Sequence, residues 1–143
     1  MTASRSLAIA AVTLLGACAR PEPEAAPDGG SPLLASVQAT TFGSDSAVFS
    51  LQVTNVTTAP LALSFSSGQQ FDFIVLRGTQ EVWRWSSEQM FTQAFCTETL
   101  APGETETYTA TWAPLPGSGG EYTVRALLTA RNAPVEQTTR FRL

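Results

Sequence analysis

From Phe49 onward, apolar side chains recur at every second position. Phe49, Leu51 and Val53 alternate with Ser50, Gln52 and Thr54, and Leu61, Leu63 and Phe65 alternate with Ala62, Ser64 and Ser66. Phe71, Phe73 and Val75 share one face, although Ile74 and Leu76 make that segment apolar on both sides. Trp83 and Trp85 flank Arg84, Tyr108, Ala110 and Trp112 alternate with threonines, and Tyr122, Val124, Ala126 and Leu128 form a further face. A period of two is the mark of a half-buried strand, and β-branched and aromatic residues favour the pleated conformation. No long amphipathic helix is written in the chain; Ser86 to Gln93 has room for one helical turn.

Turn chemistry separates these faces. Gly43 to Ser46, Thr57 to Pro60, Ser67-Gly68-Gln69, Arg77-Gly78-Thr79, Ala101 to Glu104, Pro116 to Gly120 and Asn132-Ala133-Pro134 fall at spacings of roughly 8 to 16 residues. Many short strands so divided predict an antiparallel β-sandwich of eight or nine strands in two packed sheets. Residues 33–143 are enough chain for one such core.

The first 32 residues read differently. Arg5 precedes an apolar run from Leu7 to Leu15, too short for a membrane span of roughly 20 residues. Basic start, short apolar middle and small residues before a cut make residues 1–17 a secretory signal. Leu15-Gly16-Ala17-Cys18 resembles a bacterial lipobox, which implies lipid attachment at Cys18. Residues 18–32 are rich in Pro, Glu and Ala and lack apolar periodicity. They predict a flexible tether spanning at most roughly 45 Å. The expectation is a domain held in the cell envelope, lipid-anchored at the outer membrane or cell surface, with the lipid as its sole membrane contact. Two or more acyl chains anchor stably where one is marginal.

Charge and composition then remove whole classes of chemistry. The chain has no His, and its eight basic residues face twelve acids. Loss of Arg5 with the signal leaves seven Arg and a side-chain charge of −5. An acidic chain without a basic face argues against nucleic acid. The missing imidazole excludes Ser-His-Asp and Cys-His nucleophiles and His metal ligands. With Cys18 acylated, Cys96 is the one remaining thiol, and an unpaired cysteine of this kind reads as buried and inert. The pairs Glu104 with Glu106 and Glu98 with Glu104 are the nearest approach to an acid–base couple, but they lie at strand edges and turns where carboxylates stay solvated. No metal-ligand spacing and no phosphate-binding glycine loop occurs, so the expectation is a non-enzyme with neither cofactor nor metal.

One set of motifs is more specific. Leu63-Ser64-Phe65-Ser66-Ser67-Gly68-Gln69-Gln70-Phe71-Asp72-Phe73 is followed by Val82-Trp83-Arg84-Trp85-Ser86 and Phe91-Thr92-Gln93-Ala94. Leu100-Ala101-Pro102-Gly103-Glu104, Tyr108, Trp112 and Gly120 to Val124 come after. In order and spacing these resemble the BsuPI family, named for a bacterial intracellular proteinase inhibitor, over about Phe49 to Leu128. The resemblance implies an immunoglobulin-like β-sandwich and inhibition of serine proteases of the subtilisin kind by protein–protein binding. The export signal departs from the namesake's intracellular setting and points instead to a secreted or envelope protease. Fold carries over more safely than function.

Several of these residues have a plain structural reading. Trp83, Trp85 and Trp112 are large enough that at least two belong in a core. Gly68 sits where a turn calls for positive φ. Asp72, opposite Phe71 and Phe73, either faces solvent or accepts hydrogen bonds from a neighbouring loop. Gln69 and Gln93 carry amides suited to main-chain pairing or to a partner. Asn55-Val56-Thr57 fits a glycosylation sequon that a bacterial chain leaves unused. The candidate partner-binding residues are Gln69, Asp72, Met90, Phe91 and Gln93, with Ser86–Phe91 and Leu115–Gly120 as candidate loops. An inhibitor would present such a loop to a protease; a non-inhibitory adhesion or assembly module would use a sheet face or edge instead.

Overall fold

The computed structural model describes residues 30–143. Cys18, the signal segment and most of the tether lie outside the described residues. Nine strands follow in chain order: β1 Leu33–Phe42, β2 Ser46–Asn55, β3 Leu61–Phe65, β4 Phe71–Arg77, β5 Gln80–Arg84, β6 Cys96–Leu100, β7 Thr105–Trp112, β8 Glu121–Leu128 and β9 Val135–Arg142. Among the described residues a single 3-10 turn, Trp85–Glu88, stands where the sequence leaves room for one. The fold is the expected all-β, immunoglobulin-like antiparallel sandwich.

One sheet has the order β1-β2-β7 and the other β5-β4-β8-β9, with β3 and β6 paired as a separate two-stranded ribbon. Every pairing among them is antiparallel. The alternation read from the chain sets which face is inside. Phe49, Leu51 and Val53 of β2, Phe73 and Val75 of β4, and Val124 and Ala126 of β8 have no solvent exposure. Phe49 meets Phe73 at 5.8 Å and Phe141 at 5.2 Å between ring centroids, joining the two sheets. Trp112 meets Tyr122 edge-on at 5.1 Å, closing the same core at the far end of β7. Ile74 is buried on the opposite face of β4, in register with Arg84 and Arg125, whose aliphatic stems suit that cover.

Among the described residues, Asn55 and Asp72 are the buried polar side chains. Asn55 ends β2. Its Nδ2 donates to Ala59 O at 2.9 Å and Leu100 O at 3.0 Å, while its Oδ1 accepts from Thr57 N at 2.9 Å and Thr57 Oγ1 at 2.7 Å. Both amide hydrogens and the oxygen are used, so burial carries no unpaired group. The sequon match is therefore the fastening of one turn to the end of β6.

Candidate functional site

Asp72 is the second residue of β4 and is 2% exposed. Its Oδ1 accepts from Phe73 N at 2.9 Å and Ser86 N at 3.0 Å. Its Oδ2 accepts from Arg84 Nη1 at 3.1 Å and Ser86 Oγ at 2.6 Å. Of the two readings open to Asp72, the structure selects the hydrogen-bonding one. Four donors around one carboxylate are what a buried anion needs. Their effect is to fasten the end of β5 and the start of the following turn to the beginning of β4.

Arg84 also grips Glu81 with two parallel bonds, Nε to Oε1 and Nη2 to Oε2, each 2.9 Å. The hydrogen bond from Arg84 holds the Glu81 carboxyl below its ordinary value, and the same bond raises Arg84. Glu81 lies at the surface, so this pair orients Arg84 more than it stabilises the fold.

From this anchor the chain runs through the 3-10 turn into an extended segment. Gln89 N donates to Ser86 O at 3.2 Å, and Gln89 itself is extended, with φ −116° and ψ 157°. The Trp83 indole N–H donates to Glu88 Oε1 at 3.1 Å. Trp85 stacks on Phe71 at 4.2 Å, and Phe91 packs 5.7 Å from Trp85. Met90, between these fixed points, is 101% exposed. Thr92 O then accepts from Gly68 N at 2.9 Å, tying the segment to the β3–β4 turn. Phe95 is exposed beneath the Arg131 guanidinium, and Cys96 Sγ donates to Ser67 O at 3.2 Å as β6 begins.

The β3–β4 turn is itself held. Thr129 Oγ1 donates to Gln69 O at 2.6 Å and Thr129 N to Gln70 O at 2.9 Å. Gly68 does not have the positive φ expected of it. A Cβ there would stand 2.7 Å from Thr92 Oγ1, so glycine permits the close approach of two chain segments. Cys96 is half-buried rather than enclosed.

The five candidate partner-binding residues fall on these two neighbouring segments. Gln69 is half-buried and its Nε2 lies 3.4 Å from Phe71 O; Gln93 is exposed with Nε2 at 3.5 Å from Phe91 O. Phe91 is half-buried against Trp85, Met90 projects, and Asp72 lies beneath. Arg84, Ser86 and Thr92, which the sequence offered only within motifs and, for Ser86, as the start of a candidate loop, complete the arrangement with Phe95. An aspartate between two inward phenylalanines was the available signal, since a carboxylate at such a position needs donors from elsewhere in the chain. Trp83 and Trp85 are half-buried against the core and Trp112 is 6% exposed.

Two of the three carboxylates weighed for acid–base work are engaged elsewhere. Glu104 Oε2 accepts from Ala101 N at 2.6 Å, closing the turn before β7, and Glu98 Oε1 accepts from Gln70 Nε2 at 2.6 Å. Tyr108 keeps a buried hydroxyl without a partner; desolvation pushes its ionisation well above the ordinary range, with Glu98 and Glu106 adding to the shift. Among the described residues no group of three His, Cys, Asp or Glu side chains is placed to hold a metal ion.

Residues 34–133 match the family described as BsuPI, intracellular proteinase inhibitor. No curated protein matches the chain. Among solved structures, a β-glucosidase from Erythrobacter marinus is 16% identical over 79% of this chain and 15% of its own, with a TM-score of 0.45. The sporulation control protein Spo0M from Bacillus subtilis is 13% identical over 80% of this chain and 49% of its own, TM-score 0.43. A FixG-related protein from Vibrio parahaemolyticus is 16% identical over 79% of this chain and 97% of its own, TM-score 0.42. The chain thus spans a small fraction of the glucosidase, and none of these likenesses bears on activity. The match over residues 34–133 does: the chain belongs to the BsuPI proteinase-inhibitor family. That membership also corrects one expectation. The cell-envelope location read from the N-terminal segment conflicts with a family described as intracellular. A short apolar leader is legible without reference to the fold, whereas the family match rests on 100 residues of the folded domain.

Proposed function

We propose that this BsuPI-family chain inhibits a serine endopeptidase of the subtilisin kind by presenting Gln89-Met90-Phe91 as a substrate-like segment. The observation that carries the reading is a fully exposed Met90 held between two fastened flanks. On one side Asp72 fixes Ser86; on the other Phe91 packs on Trp85 and Thr92 bonds Gly68. A loop already ordered before docking loses little entropy on binding, and a long apolar side chain fits an apolar primary pocket. Phe91, anchored from below, resists displacement after the bond beside it has been engaged. Gln69 and Gln93 border the segment and supply amides for the protease main chain.

Titrating the full chain into a subtilisin-type protease with a peptide substrate tests this. The expected result is inhibition that saturates near one chain per enzyme. Met90→Asp should weaken inhibition by at least about 2 kcal/mol, the scale of an interface hot spot, while leaving the unfolding midpoint unchanged. A folded, uncleaved chain that leaves substrate turnover untouched overturns the proposal.

A further inference from the structure

A second site lies at the other end of β4, where Arg77 closes the strand that Asp72 nearly opens. A cavity of about 360 Å³ is lined there by Trp112, Tyr122, Val82, Leu115, Ser118 and Arg77. Trp112 and Tyr122, packed edge-on at 5.1 Å and 6% and 4% exposed, show the hollow only their outer edges as its floor. Val82 and Leu115 are exposed at the rim, 42% and 81%. The Arg77 guanidinium lies 5.5 Å from the Tyr122 ring and its Nη2 is 3.4 Å from Gly119 O. Tyr122 OH donates to Ser118 O, so the hydroxyl is already engaged.

The charge at this site is unanswered. The ion pairs among the described residues use Arg84, Arg125 and Arg142, and Arg77 enters none of them. A cation beside a hollow of mixed polar and apolar lining, with Val82 and Leu115 at its rim, matches a small ligand with an apolar part and one anionic group. The volume is at the small end for ligand pockets and suits one or two side chains. Beyond β7 the chain leaves the ladder at Ala113-Pro114-Leu115, which places main chain outside the sheet along the same mouth.

We propose that this cavity binds the C-terminal residue of a peptide, its apolar side chain between Val82 and Leu115 over the edges of Trp112 and Tyr122, and its free carboxylate on Arg77. The site is separate from the Met90 segment and does not depend on the inhibitor reading. Terminal carboxylates are captured elsewhere by a cation and nearby main-chain donors, with the last side chain in a pocket.

The test follows the Trp112 indole resonance of the full chain by NMR during titration with N-acetylphenylalanine, its amide and octanoate. The acid should shift the resonance saturably through millimolar concentrations. The amide should bind about tenfold more weakly, the scale of one charge-assisted hydrogen bond. Arg77→Gln should abolish the difference between acid and amide at an unchanged unfolding midpoint. Equal binding of acid and amide to the unmodified chain overturns the proposal without reference to any variant. So does the absence of a shift, and so does octanoate binding as tightly as the acid, which would assign the cavity to a lipid carboxylate.

Discussion

Two loops of this molecule each expose a large apolar residue, and they differ in what stands beneath. Met90 rises from a segment fastened by a buried carboxylate, a tilted aromatic contact of Phe91 on Trp85 and a bond between two chain segments. Leu115 rises from a loop closed by Ser118 N on Leu115 O and steadied by Arg77 and Tyr122 contacts to Ser118 and Gly119. The first arrangement leaves the main chain beneath the exposed residue little freedom before it meets a partner. The second leaves a hollow behind it. An exposed apolar residue is unremarkable by itself; its support decides what it offers.

The strongest way to break the contrast is to remove the anchor. Asp72→Ala strands the Phe73 and Ser86 amides and should destabilise the fold by roughly 3 kcal/mol, measured by urea unfolding. Arg84 is 35% exposed and stays hydrated, so most of the loss falls on the buried amide donors. Inhibition should fall with it under conditions where the variant is still folded. An Asp72→Ala chain that inhibits fully would show that the Met90 segment orders without its anchor.

A pair of glycines sharpens the same point. Gly68→Ala brings a methyl against Thr92 and should cost roughly 1–2 kcal/mol as the two segments part. Gly117 has φ +84° with open space around its missing side chain, so Gly117→Ala should cost about 1 kcal/mol through backbone strain alone. Similar losses in unfolding midpoint should accompany different losses in inhibition: clear for Gly68→Ala, absent for Gly117→Ala. Equal inhibition by both would remove the coupling between the β3–β4 turn and the Met90 segment.

The smallest effect is a pH dependence. Glu81 is held below its ordinary value of 4.5 by Arg84. A lowered folded-state value means that the stabilisation is complete above the unfolded value and fades as pH falls through the folded one. Glu81→Gln should therefore flatten the dependence of the unfolding midpoint on pH below about pH 5 and change nothing near neutrality. An unaltered slope would show that Arg84 is oriented by Asp72 without help.

Legibility in the sequence tracked burial contrast. The faces of β2, β3, β7 and β8 were visible because inward apolar and outward polar residues alternate, and β4 showed as a short apolar run buried on both sides. β9 was not, because Glu136, Thr138 and Arg140 alternate with the half-buried Val135, Gln137 and Thr139 and a full contrast arrives at Phe141. β6, Cys-Thr-Glu-Thr-Leu, is five residues with one fully buried. At the site, Met90 and Phe91 could be read as partner-binding from the chain, but the anchoring roles of Ser86 and Thr92 could not. Their significance is a distance to Asp72 and Gly68, which lie 14 and 24 positions earlier in the chain.

What the chain by itself determined is therefore the class of fold, its approximate strand count and the family, because side-chain alternation and motif order are local properties that hydrophobic burial turns into sheets. What the tertiary structure alone decided is the fate of its polar residues. Asp72 and Asn55 are buried yet fully bonded, Gly68 is small for crowding rather than for backbone angle, and Arg77 faces a hollow without a counter-charge. Each depends on which distant segment arrives beside it, and hydrogen-bond donors and charges act over distances that no local pattern records.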